Sequence, residues 1–90
     1  MLMTEPVVRN NPEKSRFEIE IGGEIGVLDY QIDDGRMIMP HTEVPAAHRG
    51  NGYGEMLARA ALDYAREHAL KAIPVCPFVR SFISRHPDYA

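Results

Sequence analysis

Several features that would assign the sequence to a specialised class of protein are missing. Tryptophan is absent and cysteine occurs once, as Cys76, which excludes an internal disulfide and a cysteine-based zinc cluster. The four histidines are too scattered to indicate a metal site. No apolar run approaches the length of a membrane helix, and the first residues lack the basic segment and apolar core of a secretory signal. We therefore expect a cytoplasmic protein that binds no metal and does not span a membrane.

Positive charge is also in short supply. The chain has 10 lysines and arginines against 13 aspartates and glutamates, a net charge of −3 at pH 7. Residues 1–40 contain eight acidic and four basic side chains, whereas residues 41–90 contain five acidic and six basic ones and all four histidines. A nucleic-acid-binding domain usually has a strongly basic face, so no nucleic-acid partner is expected. The asymmetry suits an anionic ligand near the second half and a cationic substrate near the first, although a solvated surface is the simpler explanation of any single charge.

Length and composition indicate one compact domain over residues 1–90. With 44% hydrophobic residues the chain is too apolar for disorder, and its length leaves no room for a second catalytic domain. Residues 1–14 contain two prolines and two asparagines, which predict a loosely ordered arm with at most a short strand around Val7 and Val8. Regular structure is therefore expected to begin after this arm.

Three strands are predicted next. Apolar and charged side chains alternate over residues 16–21, which is typical of a strand with one buried face. The glycine pair at 22–23 predicts a hairpin turn into a second strand over residues 24–32. A further turn at residues 33–35 leads into a third strand over residues 36–44. Together these strands form an antiparallel meander.

A helix is predicted from Tyr53 to about Leu70, where the apolar spacing changes to i, i+3, i+4 and i+7. Its predicted inward-facing residues are Tyr53, Met56, Leu57, Ala60, Ala61, Tyr64, Ala65 and His68. A short strand over residues 72–76 and a last helix over residues 78–84 follow. Because a helix separates this strand from the third one, the two strands should be parallel and joined by a right-handed crossover.

The two parallel strands are expected to part towards their carboxyl ends. Pro40 on the third strand, and Pro74 and Pro77 at the last one, remove backbone donors, so neither strand can form an uninterrupted ladder. Ligands of such strand-helix-strand units bind beyond the carboxyl ends of the strands. A gap there would leave backbone groups free to bind an extended ligand.

The segment HTEVPAAHRGNGYG, residues 41–54, joins the third strand to the long helix and has the features of an anion site. Its glycines let the backbone approach a ligand, and the first N–H groups of a helix lack intrahelical partners. Arg49 adds a positive charge whose donor fork suits phosphate, Asn51 is the predicted N-cap, and His48 is expected on the rim. Glycines alone are explained as well by tight turns and close packing. Neither a Walker-type loop nor the G-x-G-x-x-G pattern is present.

The segment resembles the acetyl-CoA loop of the GNAT superfamily of N-acetyltransferases, whose pattern Arg/Gln-x-x-Gly-x-Gly/Ala is met by Arg49, Gly50, Asn51, Gly52, Tyr53 and Gly54. With residues 41–45 and the later PVCPFV, residues 74–79, the chain resembles the very small GNAT-like proteins of about this length. Specific motifs cover roughly the last fifty residues, whereas the first forty share only a compatible strand pattern. The resemblance implies an α+β fold: the meander, the helix, a parallel strand splayed from the third strand, and a short C-terminal helix.

The resemblance also implies a co-substrate, acetyl-CoA, whose pantetheine arm would lie where the parallel strands part. The cofactor-binding residues that follow from this are Glu43, Val44, Arg49, Gly50, Asn51, Gly52, Tyr53, Gly54, Phe78 and Arg80. Many GNAT enzymes use a tyrosine of the last helix as a general acid, but here that helix reads FVRSFISR and contains none. Cysteine chemistry or a protonated thiol must then serve.

Two residues are the predicted catalytic groups. Cys76 ends the last strand beside the expected gap, and in the small GNAT-like proteins a cysteine at the corresponding place is thought to be catalytic. The start of the following helix and nearby Arg80 are expected to lower the pKa of its thiol and favour an accessible thiolate, although lone cysteines are also common as small buried residues. His41 on the third strand is a usable base at ordinary pH, or else a structural histidine of the strand.

Three functions are compatible with these residues. The first is an acetyl-CoA-dependent N-acetyltransferase acting on an amine, with a protein or peptide amine as the expected acceptor. The second is a CoA-binding module without catalytic activity, and the third is a small partner-binding domain with a structural glycine turn. Binding of CoA should raise the melting temperature in the first two cases, and only the first releases CoA when an amine is present. The sequence does not set the oligomeric state, and a monomer is compatible with it.

Overall fold

The computed structural model describes residues 6–89, which form a five-stranded mixed sheet with two helices. The strands run in the order β1-β2-β3-β4-β5; the first four are antiparallel neighbours, and β5 is parallel to β4. The predicted α+β fold is confirmed. Its elements are β1 Val8–Asn11, β2 Arg16–Ile21, β3 Glu24–Asp33, β4 Arg36–Glu43, α1 Tyr53–Glu67, β5 Lys71–Ile73 and α2 Pro77–Arg85.

Glycine at the hairpin turns explains why the strand boundaries are readable in the sequence. Gly22 and Gly23 join β2 to β3 with φ angles of 55° and 84°. Asp34 and Gly35 join β3 to β4 with φ angles of 52° and 75°. Positive φ at both central residues is the hairpin geometry whose twist matches that of the flanking strands. Both predicted turns are therefore found where the sequence indicates them.

The N-terminal segment is better ordered than predicted. Residues 8–11 form β1, which pairs with β2 from Val8 opposite Ile19 to Asn11 opposite Arg16. The Tyr30 hydroxyl donates to Asn10 Oδ1 at 2.7 Å, so an asparagine that signals a loop serves here as a hydrogen-bond partner. The expected loose arm over residues 1–14 is therefore wrong for the β1 residues, while residues 1–5 lie outside the described residues.

The core lies between one face of the sheet and the two helices. Strand residues with period-two burial meet α1 and α2 in a single cluster, and no polar or charged side chain is buried among the described residues. The buried residues of α1 are Leu57, Ala58, Ala61, Leu62 and Ala65. Ala58 and Leu62 were not in the predicted stripe; they are buried because α1 contacts α2 as well as the sheet. Within residues 6–89, neither helix is long and apolar enough to cross a membrane.

Strands β4 and β5 part soon after they meet. Their pairing covers three residue pairs, from Arg36 with Lys71 to Ile38 with Ile73. One further bond follows, from the Cys76 N–H to the Met39 carbonyl at 2.8 Å. Strand β4 then continues to Glu43 with β3 alone as its paired neighbour. We call this opening, between residues 40–43 of β4 and the chain after β5, the β4–β5 gap; it agrees with the expected parting, although β5 is shorter than predicted.

A bulge lies in β4 at the edge of this gap. The β3–β4 register shifts between Asp29, which pairs with His41, and Gln31, which pairs with Ile38. The extra residue is therefore on β4, next to Pro40, which has no N–H to donate to a ladder. Because of this extra residue, each side chain after the bulge lies on the opposite face of the sheet from the one that strict alternation would give it. The bulge thereby determines on which face the His41 and Thr42 side chains lie.

Replacing Tyr30 with phenylalanine tests whether β1 is held in the sheet by its asparagine. The variant leaves Asn10 Oδ1 without its donor, so we expect the free energy of unfolding to fall by about 0.5–1.5 kcal/mol in urea titrations. Tyr64→Phe is the matched control, because the Tyr64 hydroxyl has no hydrogen-bond partner among the described residues and its ring stacks on that of Tyr30, with centroids 6.5 Å apart. Equal stability of the two variants would contradict this role for Asn10.

Candidate functional site

The loop between β4 and α1 presents free backbone donors at the start of α1. Gly50 and Gly52 have φ angles of 85° and 84°, the left-handed region that favours glycine. Gly52 is the N-cap of α1, and the first helical bond runs from the Met56 N–H to the Gly52 carbonyl. The N–H groups of the first turn consequently have no helical partner, and the positive end of the helix dipole lies among them. Such an arrangement is suited to binding an anion.

Asn51 is not the N-cap. The structure gives that position to Gly52, and the Asn51 amide instead donates to the His48 carbonyl at 3.3 Å. The side chain thereby closes the short 3-10 turn formed by Ala46–His48. The prediction failed because an asparagine at a loop end can bond backward to the turn as readily as forward to the helix.

Arg49 spans the loop. Its Nε donates to the Val44 carbonyl at 2.9 Å, which ties the side chain across the turn. The residue is otherwise exposed, so the terminal nitrogens of its guanidinium remain available to a ligand. A fixed planar donor group beside a helix N-terminus is well suited to phosphate oxygens.

These elements border an open cleft of about 900 Å³. It extends from the end of β4, past the glycine loop and the first turn of α1, to α2. Its walls include predicted and unpredicted residues. They are His41, Thr42, Glu43, Val44, His48, Arg49, Gly50, Gly52, Tyr53, Gly54, Glu55, Phe78 and Arg85.

The third glycine of the motif serves packing. A Cβ atom at Gly54 would lie only 2.8 Å from the Phe78 Cζ atom, closer than side-chain carbons approach. Glycine at this position therefore lets the Phe78 ring lie against the first turn of α1. Phe78 remains 36% exposed and forms part of the cleft wall.

Cys76 lies at the start of α2 and is buried, with 5% of its surface exposed. Its Sγ atom is 3.5 Å from Thr42 Oγ1. Burial raises the pKa of the thiol, but the Thr42 hydroxyl and the N–H groups of Val79 and Phe78 outweigh it, so the pKa of Cys76 is lower than that of an ordinary cysteine. The expected lowering therefore occurs, with Thr42 rather than Arg80 among its causes. Thr42 borders the cleft, whereas the sulfur lies behind it.

His41 and Glu43 lie on the face of the sheet away from the helices. They pair with Asp29 and Val27, the neighbours of core-facing Leu28, so the alternation of β3 places both side chains on the outer face. His41 Nε2 is 3.2 Å from Glu43 Oε1. Both side chains are more than half exposed and border the cleft. An imidazole next to a carboxylate and open to solvent is able to exchange protons with a bound group.

The structure brings most of the predicted cofactor-binding residues to the cleft, with Asn51 and Arg80 outside its wall. Arg80 is exposed two positions after Phe78, so the helix carries it to another side of α2. Three residues that border the cleft were not predicted from the sequence: Thr42, Glu55 and Arg85. A signal for Arg85 exists, because it follows Phe78 by seven residues, two helical turns, and shares its side of α2.

Comparison with known proteins agrees with this geometry. Residues 16–90 match the family model described as GCN5-related N-acetyl-transferase. The proteins named Protein NATD1 of Mus musculus and Homo sapiens are each 34% identical over 83 residues, which cover 89% of this chain and 76% and 74% of theirs. Protein NATD1 of Danio rerio is 33% identical over 87 residues, 91% of this chain and 79% of that protein. The chain belongs to the GCN5-related N-acetyltransferase family.

Proposed function

We propose that the protein transfers an acetyl group from acetyl-CoA to an amine of a protein or peptide. The observation that carries the proposal is the cleft itself, which runs from the glycine loop at α1 to Thr42 at the β4–β5 gap, and the Cys76 thiol lies directly behind Thr42. Family membership supports the general activity of an acetyltransferase. The choice of co-substrate, acceptor and catalytic residues rests on the cleft.

Acetyl-CoA matches the cleft in its chemistry. Its pyrophosphate suits the free N–H groups at the start of α1 and the guanidinium of Arg49. Its pantetheine arm carries amides, and the backbone of β4 along the β4–β5 gap offers groups that no strand pairs on that side. With its pyrophosphate at the start of α1 and its pantetheine arm along the gap, acetyl-CoA would place its thioester near Thr42. The Cys76 sulfur lies behind Thr42.

Cys76 then supplies the nucleophile. Its thiolate attacks the carbonyl carbon of the thioester, the bond from that carbon to the CoA sulfur breaks, and CoA leaves as a thiolate that takes a proton from solvent. The acceptor amine in turn attacks the acetyl-cysteine, forming the amide and restoring the Cys76 thiolate. The lowered pKa of Cys76 favours this route over direct transfer, in which the thiol would only protonate the leaving CoA.

His41 is suited to take the proton from the acceptor ammonium, with Glu43 orienting the imidazole. The acceptor approaches on the outer face of the sheet, because both helices pack on the opposite face. His41 and Glu43 are each more than half exposed, so the approach to them is open. An open approach suits an amine that is part of a larger chain.

One observation favours a second function, a CoA-binding module without catalytic activity. Cys76 is buried, with 5% of its surface exposed, and it does not border the cleft, so Thr42 separates its sulfur from a ligand there. Acetyl-CoA would then bind without transferring its acetyl group. A single measurement separates the two functions. Only the acetyltransferase releases CoA from acetyl-CoA in the presence of an amine.

Replacing Arg49 with alanine should weaken the binding of CoA. Loss of a charged hydrogen bond to phosphate corresponds to about 1.5–3 kcal/mol of binding free energy, measured by calorimetry. The fold should be retained, because the residue is exposed on a loop. Arg9→Ala is the matched control, since this exposed arginine lies on β1, at the far edge of the sheet. Unchanged affinity in the Arg49 variant would remove the loop from the site.

Replacing Cys76 with alanine should abolish acetyl transfer and preserve CoA binding, because the phosphate contacts lie on a different element. Cys76→Ser should be equally inactive, since a hydroxyl without a strong base is a poor nucleophile. Without an acceptor, mass spectrometry of the digested natural protein should find the acetyl group on Cys76. Full activity of the alanine variant would reduce Cys76 to a packing residue and leave His41 as the candidate for proton transfer.

Replacing Thr42 with valine should raise the pKa of Cys76, because the variant keeps the shape of the side chain and loses the hydroxyl that stabilises the thiolate. The thiolate forms above the pKa, so both its ultraviolet absorbance and the rise of the transfer rate should move to higher pH. The Cys76→Ala variant provides the absorbance baseline. Identical titrations for the natural protein and the valine variant would show that Thr42 does not control the thiol.

A further inference from the structure

Arg85 and Glu55 form an ion pair across the end of the cleft. Arg85 Nη1 lies 2.8 Å from Glu55 Oε2, joining the last turn of α2 to the first turn of α1. The two side chains are 51% and 37% exposed, and both residues border the cleft. An ion pair this exposed contributes little to stability. A ligand with stronger charge can therefore separate the pair at small cost.

Glu55 is in an unusual place for a site that binds phosphate. It lies in the first turn of α1, beside the free N–H groups, and its carboxylate repels an anion bound there. Its charge is offset only by Arg85, because no other ion pair or hydrogen bond of Glu55 is present among residues 6–89. A ligand that displaces Glu55 from Arg85 must offer an anionic group that binds the guanidinium more strongly than a carboxylate does.

The position of Arg85 is far from the thiol. It lies nine residues after Cys76 along α2, roughly 13 Å at the rise of an α-helix. Arg49 and the start of α1 lie on other elements that border the same cleft. The cleft thus offers two separated arginines for a ligand whose reactive end reaches towards Cys76.

We propose that Arg85 binds the 3′-phosphate of CoA, and that Glu55 holds Arg85 in place until the ligand arrives. The inference rests on the proposed function, which places CoA in this cleft. CoA carries a pyrophosphate, served by the loop and Arg49, and a separate phosphate monoester on its ribose. A monoester carries about −1.5 to −2 charges at pH 7, against −1 for a carboxylate, and accepts both donors of a guanidinium. When CoA binds, Arg85 releases the Glu55 carboxylate and pairs with the 3′-phosphate.

The exchange makes the protein selective for CoA over dephospho-CoA, which lacks only the 3′-phosphate. With dephospho-CoA the Arg85–Glu55 pair stays closed, and the ligand keeps only the contacts of its pyrophosphate and pantetheine. We expect the natural protein to bind CoA at least about tenfold more tightly than dephospho-CoA, the effect of one partly exposed charged hydrogen bond.

Calorimetric titration with both ligands tests this. Arg85→Gln should lose the preference by weakening CoA binding about tenfold and leaving dephospho-CoA within about twofold of the natural protein. Arg9→Gln, which removes the same charge at the far edge of the sheet, should retain the preference. If Arg85→Gln weakened the binding of CoA and of dephospho-CoA equally, the proposal would be overturned, because the residue would then act on the pyrophosphate or on the fold.

Glu55→Gln provides an independent arm, which decides the matter even if the arginine variant does not fold. This substitution frees Arg85 without removing it, so the preference for CoA should increase; an unchanged or smaller preference would overturn the proposal. Equal affinity of the natural protein for the two ligands would overturn the role of Arg85 and leave the proposed function standing. Failure of the natural protein to bind CoA at all would refute the proposed function itself.

Discussion

The backbone bond from Cys76 to Met39 is the constraint on which the site depends. It is the last backbone hydrogen bond between β4 and the chain that follows β5, and it lies where the β4 bulge begins. Because the bond holds Cys76 at β4, its sulfur lies beside Thr42, and α2 starts from a fixed point next to the gap. One contact thereby sets the opening of the strands, the environment of the thiol and the position of the wall that α2 contributes to the cleft.

The charges of the cleft are arranged largely in pairs. His41 lies beside Glu43, and Arg85 beside Glu55. Within the described part of the chain, Arg49 is different, since its side chain bonds a backbone carbonyl and no carboxylate. A charge that is already oriented and not neutralised attracts an anion without first breaking an ion pair. The loop is therefore the natural point of first contact for an anion.

Much of the fold was predictable because its signals are local. Strand alternation, glycine turns and helical spacing all depend on neighbouring residues, and the structure confirms β2, β3, β4, α1 and the parallel β5. Two features depended on contacts between distant residues and were missed. Asn10 and Asn11 resemble loop residues until Tyr30 and Glu18 are known to bond them. Ala58 and Leu62 are buried by the packing of α2.

The site shows the same division. The glycine loop and Arg49 lie in one short motif, so they could be read directly, and the resemblance to a known family pointed to Cys76. Thr42 could not be placed, because the bulge at Pro40 changes which face of β4 each later residue occupies. Glu55 and Arg85 belong to different helices, and their meeting depends on how closely α2 approaches α1, which Gly54 and Phe78 decide.

The short pairing of β5 bears on how the molecule opens. Strands β1 to β4 are neighbours both in the chain and in the sheet, so each pairing closes a short loop and costs little entropy. The segment from β5 to the end of α2 is attached by three strand pairs, by the Cys76–Met39 backbone bond and by the buried side chains of Cys76, Val79 and Phe82. Strand β5 makes fewer strand pairs than any other strand of the sheet, so we expect this segment to open early in local unfolding. A ligand that touches both the loop and α2 links this segment to the rest, so occupancy of the cleft and resistance to local unfolding increase together.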